Sequence, residues 1–548
     1  MWRKAGWLLW CLPLLTAAGE HSLQLAVQSG AATTLYSLTT EKTVAQRPLT
    51  GDLTTPLGSI WKLYIYAWLE DNQKPEQPYP CTGADKEEVY CCHAGESITR
   101  NTALVRSCGL YFSPQRLGIH PAEWQQYWQT RQAPAWLQQL PLLQPHTRVP
   151  VAELLATLSA LPAQEKARTV LLDVVLDAAM QNVAGALGGR LRVKTWSWLA
   201  DDDAGARQGG FAGWLADGTP LWAGGQGTSK SILSRYAVVL NNTLPRTEIV
   251  ESHECVVVDL FSRYPIKQIR RAGSEKSSPP GPLKGRYDVT FANGNRLTLS
   301  SAGEVYLVHS DNRPALKARL GREEYVARVL EREAKSEPVE AAKALAVAIR
   351  TYLLQSAERT PDCLHMADSS ASQRVSPSPA GPEAKAIAAW TQDVVLAGSS
   401  VNYHLDRAGK NTLVWQHAVE QARQGMRYDA ILARAFPHAG LSRWSDPKAN
   451  CRPIPDAEAW LHAQQPRWRR QLNSEAGYSE PGQFAVCRLS AGYPFVDRVQ
   501  KRLYVRNFFT QQDRLDLTHE YLHLAFDGYP SGLDEQYIEN LTRHLLMD

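Results

Sequence analysis

Eight cysteines follow an N-terminal stretch with the anatomy of an export signal, and this pairing constrains the fold more than any other feature. The stretch reads MWRKAGWLLWCLPLLTAAGE. Arg3 and Lys4 precede an apolar run from Ala5 to Leu15, and the small residues Thr16, Ala17 and Ala18 follow, so cleavage is predicted after Ala18. The run is too short to span a bilayer comfortably, and bulky Trp10 ahead of Cys11 argues against a lipid-modified cysteine. No later stretch is apolar enough to cross a membrane, so the mature chain is expected to be soluble and secreted or periplasmic. In such compartments thiols oxidise. Cys81, Cys91 and Cys92 lie close together with Cys108 a little further on, and Cys451 and Cys487 flank one C-terminal segment. At least one disulfide is expected in each group, with its connectivity open. No Cys-x-x-Cys pair offers a structural zinc site.

A chain of 548 residues exceeds one hydrophobic core, so several domains are expected. Hydrophobic residues at 44% and charged residues at 21% fit a globular protein. A net charge of +4, with no dense Lys/Arg run, excludes a nucleic-acid binder as the leading class. Three regions differ in texture. Residues 19–245 are rich in Trp and open on SLQLAVQSGAATTLYSLT, whose alternation predicts a hairpin. VAELLATLSALP and ARTVLLDVVLDAAMQNVAG have helical periodicity. Residues 246–440 begin with strands, among them a hairpin turning at Asn293-Gly294-Asn295, and continue as helices around Pro338. AGSEKSSPPGPLKG reads as a mobile insertion. Residues 441–548 hold strand-like KRLYVRNFF and helices over Leu515–Phe526 and Leu533–Leu546.

In the first region, TPLGSIWKLYIYAWL places Ser59 and Lys62 at i and i+3, on one helix face. A desolvated lysine can act as a neutral base and take the serine proton. Ser107-Cys108-Gly109 and Lys194-Thr195-Trp196 follow, and then GGFAGWLADGTPLWAGG. This order resembles the penicillin-recognising serine enzymes, the penicillin-binding transpeptidases and serine β-lactamases. The resemblance implies Ser59 as nucleophile and Lys62 as base. Two departures are plain: Gly109 lacks the amide of the family's asparagine, and Trp196 stands where the family has a groove-lining glycine. GGQGTSKS is not a phosphate loop, because Ser229 replaces the glycine required before Lys230.

In the middle region, YVARVLEREAKSEPVEAAKALAVAIRTYLL carries Tyr325, Val326, Glu333, Pro338 and Arg350-Thr351-Tyr352. It resembles stage II sporulation protein D, a family of secreted lytic transglycosylases that cut peptidoglycan, and GMRYDAIL resembles that family's closing motif. The resemblance implies Glu333 as acid and base, a task that needs a partly buried carboxyl. The family's metal-ligating loop residues are Ala367, Ala371 and Ser372 here, so no loop metal is expected.

In the last region, His519 and His523 bracket Glu520 in HEYLH. At i and i+4 both imidazoles reach one zinc ion, and Glu520 lies where a general base would serve its water, whose pKa zinc lowers to roughly 7. A turn at GYPSG then returns the chain, bringing Asp534, Glu535 or Glu539 to the metal. GLDEQY resembles the corresponding segment of aspzincin metalloendopeptidases, which implies Asp534 as third ligand and Tyr537 as a helper at the tetrahedral intermediate. Glu535 and Glu539 stay open as alternatives. KRLYVRNFF is expected to supply an edge strand for an extended peptide.

The fold class expected is therefore α+β and multidomain: a penicillin-recognising-like α/β domain, a β-then-α domain and a small zincin-like domain. The function expected is action on peptidoglycan or envelope peptides through one zinc site and Glu333. The competing expectation is a peptidoglycan-binding or scaffolding protein that has lost the chemistry, which Gly109, Trp196 and the altered loop favour. No nucleic acid and no membrane span after signal cleavage are expected, and oligomeric state is open.

Overall fold

The computed structural model describes residues 22–176, 185, 187–199, 207–245, 254–310, 313–360, 362–370, 372–446, 449–482, 484–489, 493–498 and 501–547. The export signal and Ala371 lie outside the described residues. The chain forms two compact units. One comprises residues up to Val174 with Val193–Leu244, the other Val175–Arg192 with Pro245–Asp548. The class is mixed α and β, as the sequence leads one to expect. No helix among the described residues is long and apolar enough to cross a membrane.

In the first unit the opening alternation forms its hairpin: β1 (Leu23–Ser29) pairs antiparallel with β2 (Ala32–Leu38), Leu25 opposite Tyr36. With β3 (Thr43–Pro48), β4 (Leu191–Leu199), β5 (Arg207–Leu215) and β6 (Pro220–Gln226) it makes one sheet of order β3-β2-β1-β6-β5-β4. Helix α1 (Trp61–Asp71) is buried from Trp61 to Leu69, and Lys62 is the one charged side chain in that buried stretch. Trp68, Trp124, Trp128, Trp136, Trp214 and Trp222 fill the core beside it, which assigns these tryptophans to packing. Disulfides Cys81–Cys92 and Cys91–Cys108 tie the loops that follow α1.

In the second unit β7 (Cys255–Leu260), β8 (Ile266–Arg271), β9 (Gly281–Phe291), β10 (Arg296–Ser310), β11 (Arg313–Gly321), β12 (Glu358–Arg359) and β13 (Cys363–Ala367) form a sheet of order β8-β9-β10-β11-β7-β13-β12. The Asn293-Gly294-Asn295 turn joins β9 to β10, while Gly281–Gly285, read from sequence as insertion, belongs to β9 and pairs with β10. Strands β7 and β13 run parallel, with Cys255 opposite Cys363 and bonded to it. Helices α2 (Arg322–Glu333) and α3 (Val339–Ser356) pack in the same core. Between them the wholly buried Glu323 and Arg350 pair, Nη2 to Oε2 at 2.5 Å. Arg350 also donates to the carbonyls of Ala388 and Val394 and to Thr391, so the guanidinium is satisfied. Removing one partner of such a pair costs about 3–5 kcal/mol.

Toward the C-terminus α4 (Pro455–Leu472) packs with β14 (Ala485–Arg488), β15 (Phe495–Asp497) and β16 (Arg502–Val505). Here one expectation is corrected. The strand in KRLYVRNFF is the central one, flanked by β14 and β15, so the exposed edge beside it is the three-residue β15. Helix α5 (Gln511–Ala525) starts on a capping box in which Thr510 and Asp513 satisfy each other's backbone N–H. A single tight turn, Pro530–Leu533, reverses the chain into α6 (Glu535–Met547).

Candidate functional site

The turn between α5 and α6 decides which carboxylate meets the two histidines. His519 and His523 lie one helical turn apart on α5, with their Nε2 atoms 3.0 Å apart. Glu535, the first residue of α6, brings Oε2 to 3.1 Å from His519 Nε2 and 3.5 Å from His523 Nε2. One ligand atom from each of these three residues lies within 4.8 Å of the others. Asp534 is outside this group. Its Oδ1 accepts the backbone N–H groups of Gln536 and Tyr537, at 3.1 Å each, so it caps α6. Glu539, one turn further, stands 3.5 Å from His519 Nδ1.

The surroundings orient the rings. His523 Nδ1 lies 2.8 Å from the carbonyl of Gly532, which commits that nitrogen to donation and turns Nε2 toward the group. Arg498 Nη2 donates to the same carbonyl at 2.7 Å. Burial holds the His523 imidazole below its ordinary value, with the Gly532 bond opposing. Glu520 is 8% exposed, lines the adjoining cavity with Pro494, Asp516 and Arg543, and has no hydrogen-bond or ion-pair partner among the described residues. Burial first, then the charges of Glu535 and Asp516, push its carboxyl up to about 7. Tyr537 points elsewhere: its hydroxyl donates to Glu475 at 2.9 Å. Two imidazoles and a carboxylate form a donor set that suits zinc and leaves a coordination position open.

In the first unit, Lys62 Nζ reaches Ser59 Oγ at 3.2 Å, Ser107 Oγ at 3.1 Å and the Ser107 carbonyl at 2.6 Å. The sequence motifs of Ser59 and Ser107 thus converge on one amine. Ser107 adopts φ +61°, a left-handed conformation uncommon for a residue with a Cβ, and Cys108 beside it is bonded to Cys91. Burial lowers the Lys62 amine to about 8 against the pull of Glu87. Lys194 is wholly buried, and burial with the nearby Lys62 charge holds it well below its ordinary value. Gly109 brings no side chain, leaving Lys62 and Glu87 as the nearest atoms. Trp196 is buried and stacked on Trp222, and its Cβ would lie 2.9 Å from a Cβ placed on Gly58, itself at φ +49°.

In the second unit, Glu333 ends α2 beside a cavity of about 360 Å³ lined by Tyr352, Asn402, Tyr403, Arg407 and Trp415. Arg374 grips it. Glu333 Oε1 accepts the Arg374 backbone N–H at 2.8 Å, and Oε2 accepts Nη2 at 2.8 Å. Sequence reasoning missed Arg374, Arg407 and Trp415. Arg374 lies two residues past the altered loop position Ser372, and a basic residue there was the available signal.

Two family models match the chain. One, described as "Predicted secreted protein (DUF2300)", matches residues 83–204 and 411–531. The other, "Stage II sporulation protein", matches residues 311–434. Among solved structures the chain is similar to a class A beta-lactamase of the last common ancestor of Gram-negative bacteria, at 15% identity and a TM-score of 0.28, covering 40% of this chain and 92% of that one. It is also similar to L2 complexed with relebactam, at 17% identity and a TM-score of 0.27, covering 40% of this chain and 91% of that one. The "Uncharacterized protein YfaQ" of Escherichia coli (strain K12) is 60% identical over 547 residues, covering 100% of both chains. The chain therefore belongs to the same family as YfaQ, and it is a secreted protein with a stage II sporulation protein segment and a cell-wall-related role.

Proposed function

We propose that this secreted protein is a zinc-dependent hydrolase of peptide or amide bonds in peptidoglycan or envelope peptides. The observation that carries the reading is the convergence of His519, His523 and Glu535 on one point beside a buried Glu520 that has no partner among the described residues. Zinc bound there supplies Lewis-acid activation of water and of the scissile carbonyl. Glu520 takes the proton from the attacking water and delivers it to the leaving nitrogen. Gly532 and Arg498 hold the His523 ring, and Glu539 faces the far side of the His519 ring. Metal analysis of the exported, intact protein tests this. One zinc per chain is expected, lost in His519→Ala and His523→Ala. Metal-free protein with an unchanged fold overturns the reading.

A second activity is favoured by the cavity beside Glu333 within the stage II sporulation protein segment. There Glu333 acts as acid and then base in lytic cleavage of glycan. Release of anhydro-sugar products from stripped glycan, abolished in Glu333→Gln, is the expected result. For the first unit, the buried Trp196 against Gly58 favours a binding role over acyl transfer. Covalent labelling of Ser59 by a fluorescent penicillin would reverse that assignment.

A further inference from the structure

We propose that Arg374 is a carboxylate-binding residue, and that the Glu333 cavity takes a sugar carrying a carboxylate, which draws the guanidinium off Glu333. The proposal rests on the reading of Glu333 as the glycan-cleaving acid and deepens it by naming what must bind for that group to be released. While Arg374 is closed on it, both oxygens of Glu333 accept from Arg374: Oε1 from the backbone N–H and Nε, Oε2 from Nε and Nη2. Neither oxygen can then present a proton to a glycosidic oxygen. The grip sits on the open side of the site. The Arg374 side chain is 45% exposed and that of Glu333 only 16%.

A neutral sugar has nothing to offer a guanidinium already paired with two carboxylate oxygens. A substrate carboxylate does, because it matches the planar donor pair in the same bidentate geometry. The exchange preserves the hydrogen bonds of the guanidinium and frees Glu333 Oε2 at the cavity wall, while Oε1 keeps the Arg374 backbone N–H. The rest of the cavity suits a sugar. Tyr352 and Tyr403 meet edge to face at 6.1 Å, Trp415 adds a third ring, and Asn402 and Arg407 supply polar groups.

The test is calorimetric binding of two probes to the full chain. One is a short N-acetylglucosaminyl–N-acetylmuramic acid oligomer stripped of peptide, and the other is the same oligomer with each carboxylate converted to its carboxamide. The carboxylate form is expected to bind at least about tenfold more tightly. In Arg374→Ala that preference disappears, and both forms bind as the carboxamide binds the wild type. Arg374→Lys, which keeps the charge without the planar donor pair, is expected to give an intermediate preference, so an unfolded alanine variant does not leave the matter open. Equal binding of the two forms to the wild type overturns the proposal, as does binding of neither. Tight binding of the carboxylate form without release of anhydro-sugar removes the lytic reading and leaves the subsite standing.

Discussion

At the scale of single residues, Asp534 is the cap of α6 and Glu535 the proposed zinc ligand. Asp534 is spent on two backbone N–H groups at the start of α6, while Glu535 faces both histidines. Asp534→Ala is therefore expected to keep zinc and to lower stability by about 1 kcal/mol, the usual cost of a lost cap. Glu535→Gln is expected to lose zinc at near-native stability. Metal content and urea unfolding of the two variants decide it, and the reverse pattern makes Asp534 the ligand. The histidine pair was legible in sequence because i, i+4 spacing fixes its geometry on any helix. The carboxylate was not, because its phase depends on the turn over Pro530–Leu533, and one residue of shift exchanges cap for ligand. Lys62 makes a second prediction. Burial lowers its amine to about 8, so its neutral, base-competent fraction grows as pH rises through that value. If Ser59 is acylated by a fluorescent penicillin, the rate is expected to climb with a midpoint near pH 8. A rate that is flat between about pH 6.5 and 9.5 excludes Lys62 as the base.

At the scale of elements, periodicity was read well wherever local sequence sets the structure. The hairpins of β1–β2 and β9–β10 and helices α2, α3, α5 and α6 stand near their expected positions. What failed was non-local. Nothing in KRLYVRNFF says which neighbours flank it, and β16 is central because β14 and β15 both choose it. Likewise Cys255 and Cys363, separated by 108 residues, belong to neither expected disulfide group, and only the parallel register of β7 and β13 brings them together. Loop length gives this bond the larger role. Closing about 100 residues stabilises by roughly 4–5 kcal/mol, against about 3 kcal/mol for a loop of the Cys81–Cys92 kind. Replacing both Cys255 and Cys363 by Ser is thus expected to lower the urea midpoint of the second unit more than the paired change at Cys81 and Cys92 lowers that of the first. Equal losses would show that strand pairing alone holds β7 to β13.

At the scale of the molecule, the candidate residues divide between the two units: Ser59 and Lys62 lie in one, Glu333 and the histidine group in the other. The residues packed around α1 form one core, and within the second unit those packed around α2 and α3 and those packed around α5 and α6 form two more. Units with separate cores melt separately unless a large apolar interface joins them. Scanning calorimetry is therefore expected to resolve at least two transitions. A ligand stabilises only the unit that binds it, by about 2.7 kcal/mol at a hundredfold excess over its dissociation constant. Zinc at such an excess is expected to raise one transition by several degrees and leave that of the first unit in place, and a chelator to reverse the shift. His523→Ala is expected to abolish the response without removing either transition. The transition that moves must not be the one that Cys81→Ser with Cys92→Ser displaces, because α5 and α6 fall in the second unit. A metal response in the transition displaced by the Cys81 and Cys92 changes would place the zinc site away from α5 and α6, and a metal response in neither would remove it.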